Sequence, residues 1–225
     1  MFYLAKTWKD RLEQMQALKD KCNSIVDKLA LPRDDIRTVG LIHVRQFCNT
    51  LAAIPMKLQQ NAEISKLRPA VMSILGISNV NDLKLCLCDF NKNSKTSFVT
   101  MAQFALENCV ARVLKAIDKK PANSFTVNID QLTKATELAD IDKKRNILKV
   151  PARIRNSLHA GGIHGGDRGP AEVDIDGVQY RFVKGHRVVG ASWSHIFHVY
   201  SHCLDIYEEM FCSLRVRAKE LIPAE

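Results

Sequence analysis

The sequence has no uninterrupted apolar run of about 18 residues, the length a bilayer-spanning helix requires. Its first stretch, MFYLAKTWKDRLEQ, becomes charged at Lys6 and carries no apolar centre, so no secretion signal is expected. A disulfide frame is missing as well: the seven cysteines are odd in number and scattered without paired spacing. Reduced thiols in a cytoplasmic protein, with no membrane partner, are the expectation. Neither a Walker pattern nor a strand-to-helix glycine fingerprint is present, which leaves out the two common nucleotide cradles. No cofactor is expected. Without repeats or low-complexity linkers, residues 1–225 read as one domain.

What is present in excess is positive charge. Lys and Arg number 33 against 24 Asp and Glu, giving a formal net charge of +9. That imbalance favours nucleic acid or another phosphate-rich partner, through phosphate contacts and counterion release. Acidic residues are spread through the chain, so no basic tail is involved. The hydrophobic share of 46% is ordinary for a chain with a full core.

Apolar residues recur at helical spacing over most of the chain. A first helix is predicted over about 4–30, on Leu4, Trp8, Leu12, Met15, Cys22, Ile25 and Leu29. A second runs from Asp34 to about Ala53, and Pro55 and Pro69 cut the next stretch into shorter pieces up to Gly76. Residues 78–97 read as a short apolar element and a surface loop. A strong helix over about 99–119 follows, then one or two helices over 128–160. After them the period changes, and residues 171–189 alternate around Asp176-Gly177, a dipeptide that suits a type I′ hairpin. A second turn at Lys184-Gly185 allows a short third strand. The last helix, from Ser192, carries two neighbouring apolar stripes, one through Trp193, Phe197, Tyr200 and Leu204, the other through Ile196, Val199 and Cys203. So broad a face calls for burial against other helices or a second copy. The expected fold is mainly α: a single helical bundle with a small β-hairpin before the C-terminal helix.

Three stretches invite a site and then weaken. Asp89, Asn91 and Asn93 match the opening ligands of a calcium loop, but Ser94 stands where the turn needs glycine and Thr100 where a carboxylate is needed. Cys86 and Cys88 lack zinc-knuckle spacing and have no second pair. His195, His198 and His202 align on one helical face at steps of three and four, opposite the apolar stripe and continued by Asp205 and Glu209. That pattern reads first as a solvated polar face, and no metal is expected.

The unusual chemistry is concentrated in PARIRNSLHAGGIHGGDRGP, residues 151–170, which holds five of the ten glycines. The glycines follow a helix and do not open one, so Gly161 and Gly162 read as a helix stop. Arg155 and His159, four apart, project from one face, with Asn156 beside them. An imidazole near neutrality moves protons, and an adjacent guanidinium holds phosphate and the charge developing on it. Together they suit metal-free RNA cleavage; a helix-end histidine beside a surface arginine, with no chemistry, is the plain alternative.

The segment RIRNSLHAGGIHGG, preceded by SFVTMAQFALENCVARVLKAI and NILKVPA, resembles the HEPN superfamily, in particular stand-alone proteins whose RN…H motif ends a helix and enters a glycine-rich turn. The hairpin and last helix are similar too. The likeness covers residues 98–215 well and the N-terminal helices, 1–97, only loosely. It implies a metal-independent endoribonuclease, a toxin or defence effector, working as a homodimer on RNA, with an antitoxin or regulatory protein as a further partner. Arg155, Asn156 and His159 would be catalytic, with Arg153, Ser157, His164 and Arg168 contacting substrate. The spacing departs from the family pattern. Three residues separate Arg155 from His159, whereas Arg153 stands at five but is followed by Ile154. Arg153 as the functional arginine, a compact motif and an inactive site all remain open. The alternative function is a non-catalytic HEPN module that binds nucleic acid, nucleotide or protein.

Overall fold

Caps and apolar stripes set the frame of the computed structural model, which describes residues 4, 7–166 and 171–224. Helix α1 (Trp8–Leu29) opens on a capping box: Asp10 N–H donates to Thr7 Oγ1 at 3.2 Å, and Thr7 N–H to the Asp10 carboxylate at 3.0 Å. Met15, Leu18, Cys22 and Ile25 form its buried stripe. Helix α2 (Ile36–Phe47) passes through a π-helical turn, Cys48–Ala52, into α3 (Ala53–Glu63) without a loop. Pro55 does not cut the chain as expected: it lies inside this continuous helical run, just after the π-helical turn. Helix α4 (Arg68–Ile74) takes Pro69 near its start.

Residues 78–97 depart from the sequence expectation. From Val80 on they are the first half of one helix, α5 (Val80–Ala116), 37 residues and about 55 Å long. Asn79 caps it, accepting from Asp82 N–H at 2.9 Å. Its polar first half buries little beyond Leu83, which packs with Ala62 and Val71 in a small satellite core. From Phe98 onward the helix enters the main core.

Helices α6 (Phe125–Ala135) and α7 (Ile141–His159) follow, then strands β1 (Glu172–Ile175) and β2 (Val178–Arg181), α8 (Trp193–Cys212) and α9 (Leu214–Arg217). The protein is therefore mainly helical, with a two-stranded antiparallel hairpin before the final helices. Asp176 and Gly177 both have positive φ, as a type I′ turn demands. Val173 pairs with Tyr180 and Ile175 with Val178, and these four form the buried face. The expected third strand is one bridge, Arg181 to Val189, closed by two backbone hydrogen bonds of 3.0 and 3.1 Å.

Helix α8 lies across α1 and α7, and both of its apolar stripes are buried within the chain. Intramolecular packing therefore accounts for the breadth of that face. Arg37 is fully buried and ties the start of α2 to the C-terminal segment. It donates to both Asp35 oxygens at 2.6 and 2.8 Å and to the Val216 and Lys219 carbonyls at 3.1 and 2.9 Å. Burial alone would raise the Asp35 carboxyl, but Arg37 and the backbone N–H groups of Ile222 and Arg37 outweigh it and hold it below the usual carboxylate range.

Candidate functional site

The end of α7 is fixed by three local devices. Pro151 lies inside the helix and cannot donate to the Ile147 carbonyl; the Cys203 thiol of α8 reaches that oxygen at 3.8 Å instead. The helix closes on Gly161 (φ +70°) and Gly162 (φ +90°), with Gly162 N–H donating to Ser157 O at 2.7 Å and Gly161 N–H to Leu158 O at 3.2 Å. These are the two bonds of a Schellman closure, and both glycines occupy backbone conformations that disfavour a side chain. Beyond the stop, the turn is sewn to the loop after the hairpin. His164 N–H donates to His186 O at 2.9 Å, Gly185 N–H to His164 O at 2.8 Å, and Val188 N–H to Gly162 O at 3.0 Å.

Helical geometry then sorts the motif onto two faces. Arg155, Asn156 and His159 look outward, toward α5. His159 is exposed, with Nε2 3.2 Å from Thr100 Oγ1 in a hydrogen bond. The Arg155 guanidinium donates from Nη1 to Glu107 Oε1 at 3.3 Å and from Nε to Asn156 Oδ1 at 3.2 Å, and lies 5.8 Å from the Phe104 ring centroid. Gln103 donates to the same Glu107 oxygen at 3.2 Å. The structure thus places the three expected catalytic residues on the α5-facing side of α7, with Asn156 and His159 exposed and Arg155 largely covered.

Arg153, Ser157 and His164 lie on the other side. Ser157 and His164 are buried, with Ser157 Oγ hydrogen-bonded to His164 Nδ1 at 3.2 Å and the His164 ring 5.4 Å from that of Phe182. Placed so, they pin the glycine turn to the hairpin and do not line an open surface, contrary to the expectation that they contact substrate. Arg153 covers the Phe182 ring at 5.4 Å and is half-buried; burial lowers its guanidinium from the ordinary value. Arg168, and Asp167 before it, lie outside the described residues.

Several neighbours of the motif had no signal in the sequence. Thr100, Gln103 and Glu107 meet α7 only because α5 packs across it. Met101 and Phe104, 43% and 53% exposed, leave apolar surface on α5 beside the polar trio.

The second constellation is on α8. The histidines expected to form a solvated face are half-buried beneath the hairpin and beside α1. His195 Nδ1 bonds the N-cap Ser192 Oγ at 2.6 Å. Tyr180 Oη stands 2.9 Å from both the His195 carbonyl and His198 Nδ1, and His198 Nε2 lies 3.2 Å from His202 Nε2. Burial, with His202 next, pushes His198 down to about 4. A cleft of about 530 Å³ between α1 and α8 opens onto this pair. Among the described residues no group of three or more His, Cys, Asp or Glu side chains could hold a metal ion. No described helix is long and apolar enough to cross a membrane.

No protein-family model, curated protein or solved structure matches this chain.

Proposed function

We propose that the protein is a metal-independent endoribonuclease of the HEPN type, acting on RNA as a toxin or defence effector. The observation that carries this reading is the shared outward face of Arg155, Asn156 and His159 at the end of α7. His159 takes the proton from a ribose 2′-hydroxyl, the freed oxygen attacks the adjacent phosphorus, and the 5′-oxygen leaves with a proton from a second imidazole. The products are a 2′,3′-cyclic phosphate and a 5′-hydroxyl end, with no net proton change. Arg155 stabilises charge on the phosphoryl oxygens, and Asn156 orients the arginine through the Nε contact.

The second imidazole is supplied by a second copy of the chain. Met101 and Phe104 offer apolar surface next to the motif, so a homodimer closed over α5 brings the two His159 side chains into one cleft. The net charge of +9 suits an RNA partner. One contact favours the rival reading of a non-catalytic module that binds nucleic acid, nucleotide or a protein: Arg155 is held by Glu107 in the free protein.

Cleavage of RNA in EDTA by the wild type, Arg155→Ala and His159→Ala separates the two. The expected result is chelator-resistant cleavage that both substitutions remove. Equal cleavage by all three proteins would overturn the assignment. Salt-dependent retention of RNA without cleavage would establish the binding module.

A further inference from the structure

Where helices meet, cations of this chain are commonly matched by a carboxylate across the contact. Lys21 pairs with Asp205, Lys144 with Glu209, Arg145 and Lys149 with Asp130, and Arg155 with Glu107. The cleft bounded by α1, α3, α4 and the start of α5 is different. It encloses about 510 Å³ and is lined by Arg11, Arg68 and Lys84, against Glu63 as the carboxylate among its described residues. Among the described residues none of these three cations forms an ion pair.

Hydrogen bonds position two of them without neutralising them. Arg68 donates from Nε to the Ala62 carbonyl at 2.9 Å, at the end of α3. Arg11 donates from Nη1 to Gln59 Oε1 at 3.2 Å, while Gln59 Nε2 donates to Glu63 Oε1 at 3.0 Å. A neutral amide thus stands between guanidinium and carboxylate, and Arg11 keeps further N–H groups for a ligand. The crowding of positive charge continues along α5. Lys95, one turn beyond Asn91 of the cleft wall, is held below the ordinary lysine value by burial first and then by Arg11 and Lys92.

The floor of the cleft is aliphatic. Ala62 and Leu83, buried in the satellite core, line it together with Leu87 and Val80. No aromatic side chain is among the lining residues. A nucleobase would find no ring to stack on, whereas an alkyl chain gains from each methylene taken out of water. An apolar floor with a few placed polar groups is the ordinary make-up of a small-molecule site of this volume.

We infer that this cleft binds a small aliphatic anion, a carboxylate or phosphate carried on an alkyl chain. Arg11 and Lys84 hold the head group, Arg68 completes the positive rim, and Leu83, Leu87 and Val80 receive the chain. The cleft shares no residue with the α7 motif.

The experiment is calorimetric titration of decanoate, octyl phosphate, octanol and inorganic phosphate, each below its micellar concentration, into the full chain. The two alkyl anions should bind saturably at one site. Octanol and inorganic phosphate should each bind at least tenfold more weakly than octyl phosphate, because each lacks one half of the ligand. Arg11→Gln with Lys84→Gln should weaken both anions at least tenfold, with folding checked by circular dichroism. Val80→Asp gives a second route: the position is 41% exposed in the first turn of α5, where an acid is tolerated, and its charge should repel the ligand to a similar extent. On the unsubstituted protein, saturating decanoate should slow iodoacetamide alkylation of Cys88, exposed on the cleft wall, and leave that of Cys212 unchanged. No saturable binding of either anion, octanol or inorganic phosphate binding as tightly as octyl phosphate, wild-type affinity in both variants, or an unprotected Cys88 would each overturn the inference. Adenosine monophosphate binding more tightly than the alkyl anions would do so as well. None of these outcomes bears on RNA cleavage, so the two assignments fail separately.

Discussion

His159 and His198 sit on helices that bury their other faces in one core, yet the fold treats them in opposite ways. His159 ends α7, exposed, with Thr100 Oγ1 as a hydrogen-bond partner and Arg155 one turn back, held by Glu107. His198 is half-buried, with both nitrogens engaged, by Tyr180 on one side and His202 on the other. An exposed helix end suits a group that must reach an incoming substrate and change its protonation during a reaction. A ring held by hydrogen bonds at both nitrogens suits a group that keeps one orientation. The difference originates in chain direction: a Schellman turn carries the backbone away from His159, whereas the hairpin folds back over His198.

The largest effect expected from this contrast is on catalysis. His159→Ala should lower RNA cleavage about 10²–10⁴-fold, the ordinary contribution of a positioned acid–base group. Its folding stability should change by no more than about 0.5 kcal/mol, because the side chain is exposed. His202→Ala should leave EDTA-resistant cleavage at the wild-type rate. Comparable loss of cleavage from either substitution would break the separation of the two regions. Phe104→Asp tests the surface beside His159. Light scattering should show a dimer for the wild type and a monomer for the variant, with cleavage falling in parallel; an unchanged oligomer would remove the apolar face of α5 from the dimer.

The α8 region should instead respond through packing. Gly190 has φ +103°, and a Cβ there would stand 2.6 Å from the Tyr180 ring. Gly190→Ala should therefore cost about 1–3 kcal/mol in chemical denaturation, as overpacked sites do. Cleavage per folded molecule should stay unchanged. A fully stable Gly190→Ala protein would mean that Tyr180 is not wedged as described.

Legibility followed the same division. The hairpin could be read because Asp176-Gly177 demands a turn with positive φ at both positions, and the end of α7 because paired glycines stop helices. The first half of α5 could not be read from apolar period. Its polar stretch 89–97 lies where the helix leaves the main core, so burial imposes no stripe there. The better signal was negative: residues 77–120 contain neither glycine nor proline, so nothing breaks the helix. Around the motif, the i, i+4 relation of Arg155 and His159 was visible, but Glu107 and Thr100 belong to another helix, and only tertiary packing selects them. The inward turn of Ser157 and His164 was hidden for the same reason, since Phe182 and the 183–189 loop cover them.

The smallest effect expected concerns that cross-helix contact. Glu107 holds Arg155 at 3.3 Å in an ion pair whose side chains are 27% and 20% exposed. Pairs reached by solvent contribute about 0–1 kcal/mol, so releasing the arginine can alter phosphate binding by at most about fivefold. If Glu107 restrains Arg155 in the free protein, Glu107→Gln should raise RNA affinity within that limit and leave stability nearly unchanged. If Glu107 instead aims the guanidinium at the scissile phosphate, the same substitution should lower the cleavage rate while affinity holds or rises. Measuring affinity and single-turnover cleavage together distinguishes these cases. A variant unchanged in both would mean that Arg155 is not the phosphate ligand, and would turn attention to Arg153, five residues before His159 in the count of intervening positions.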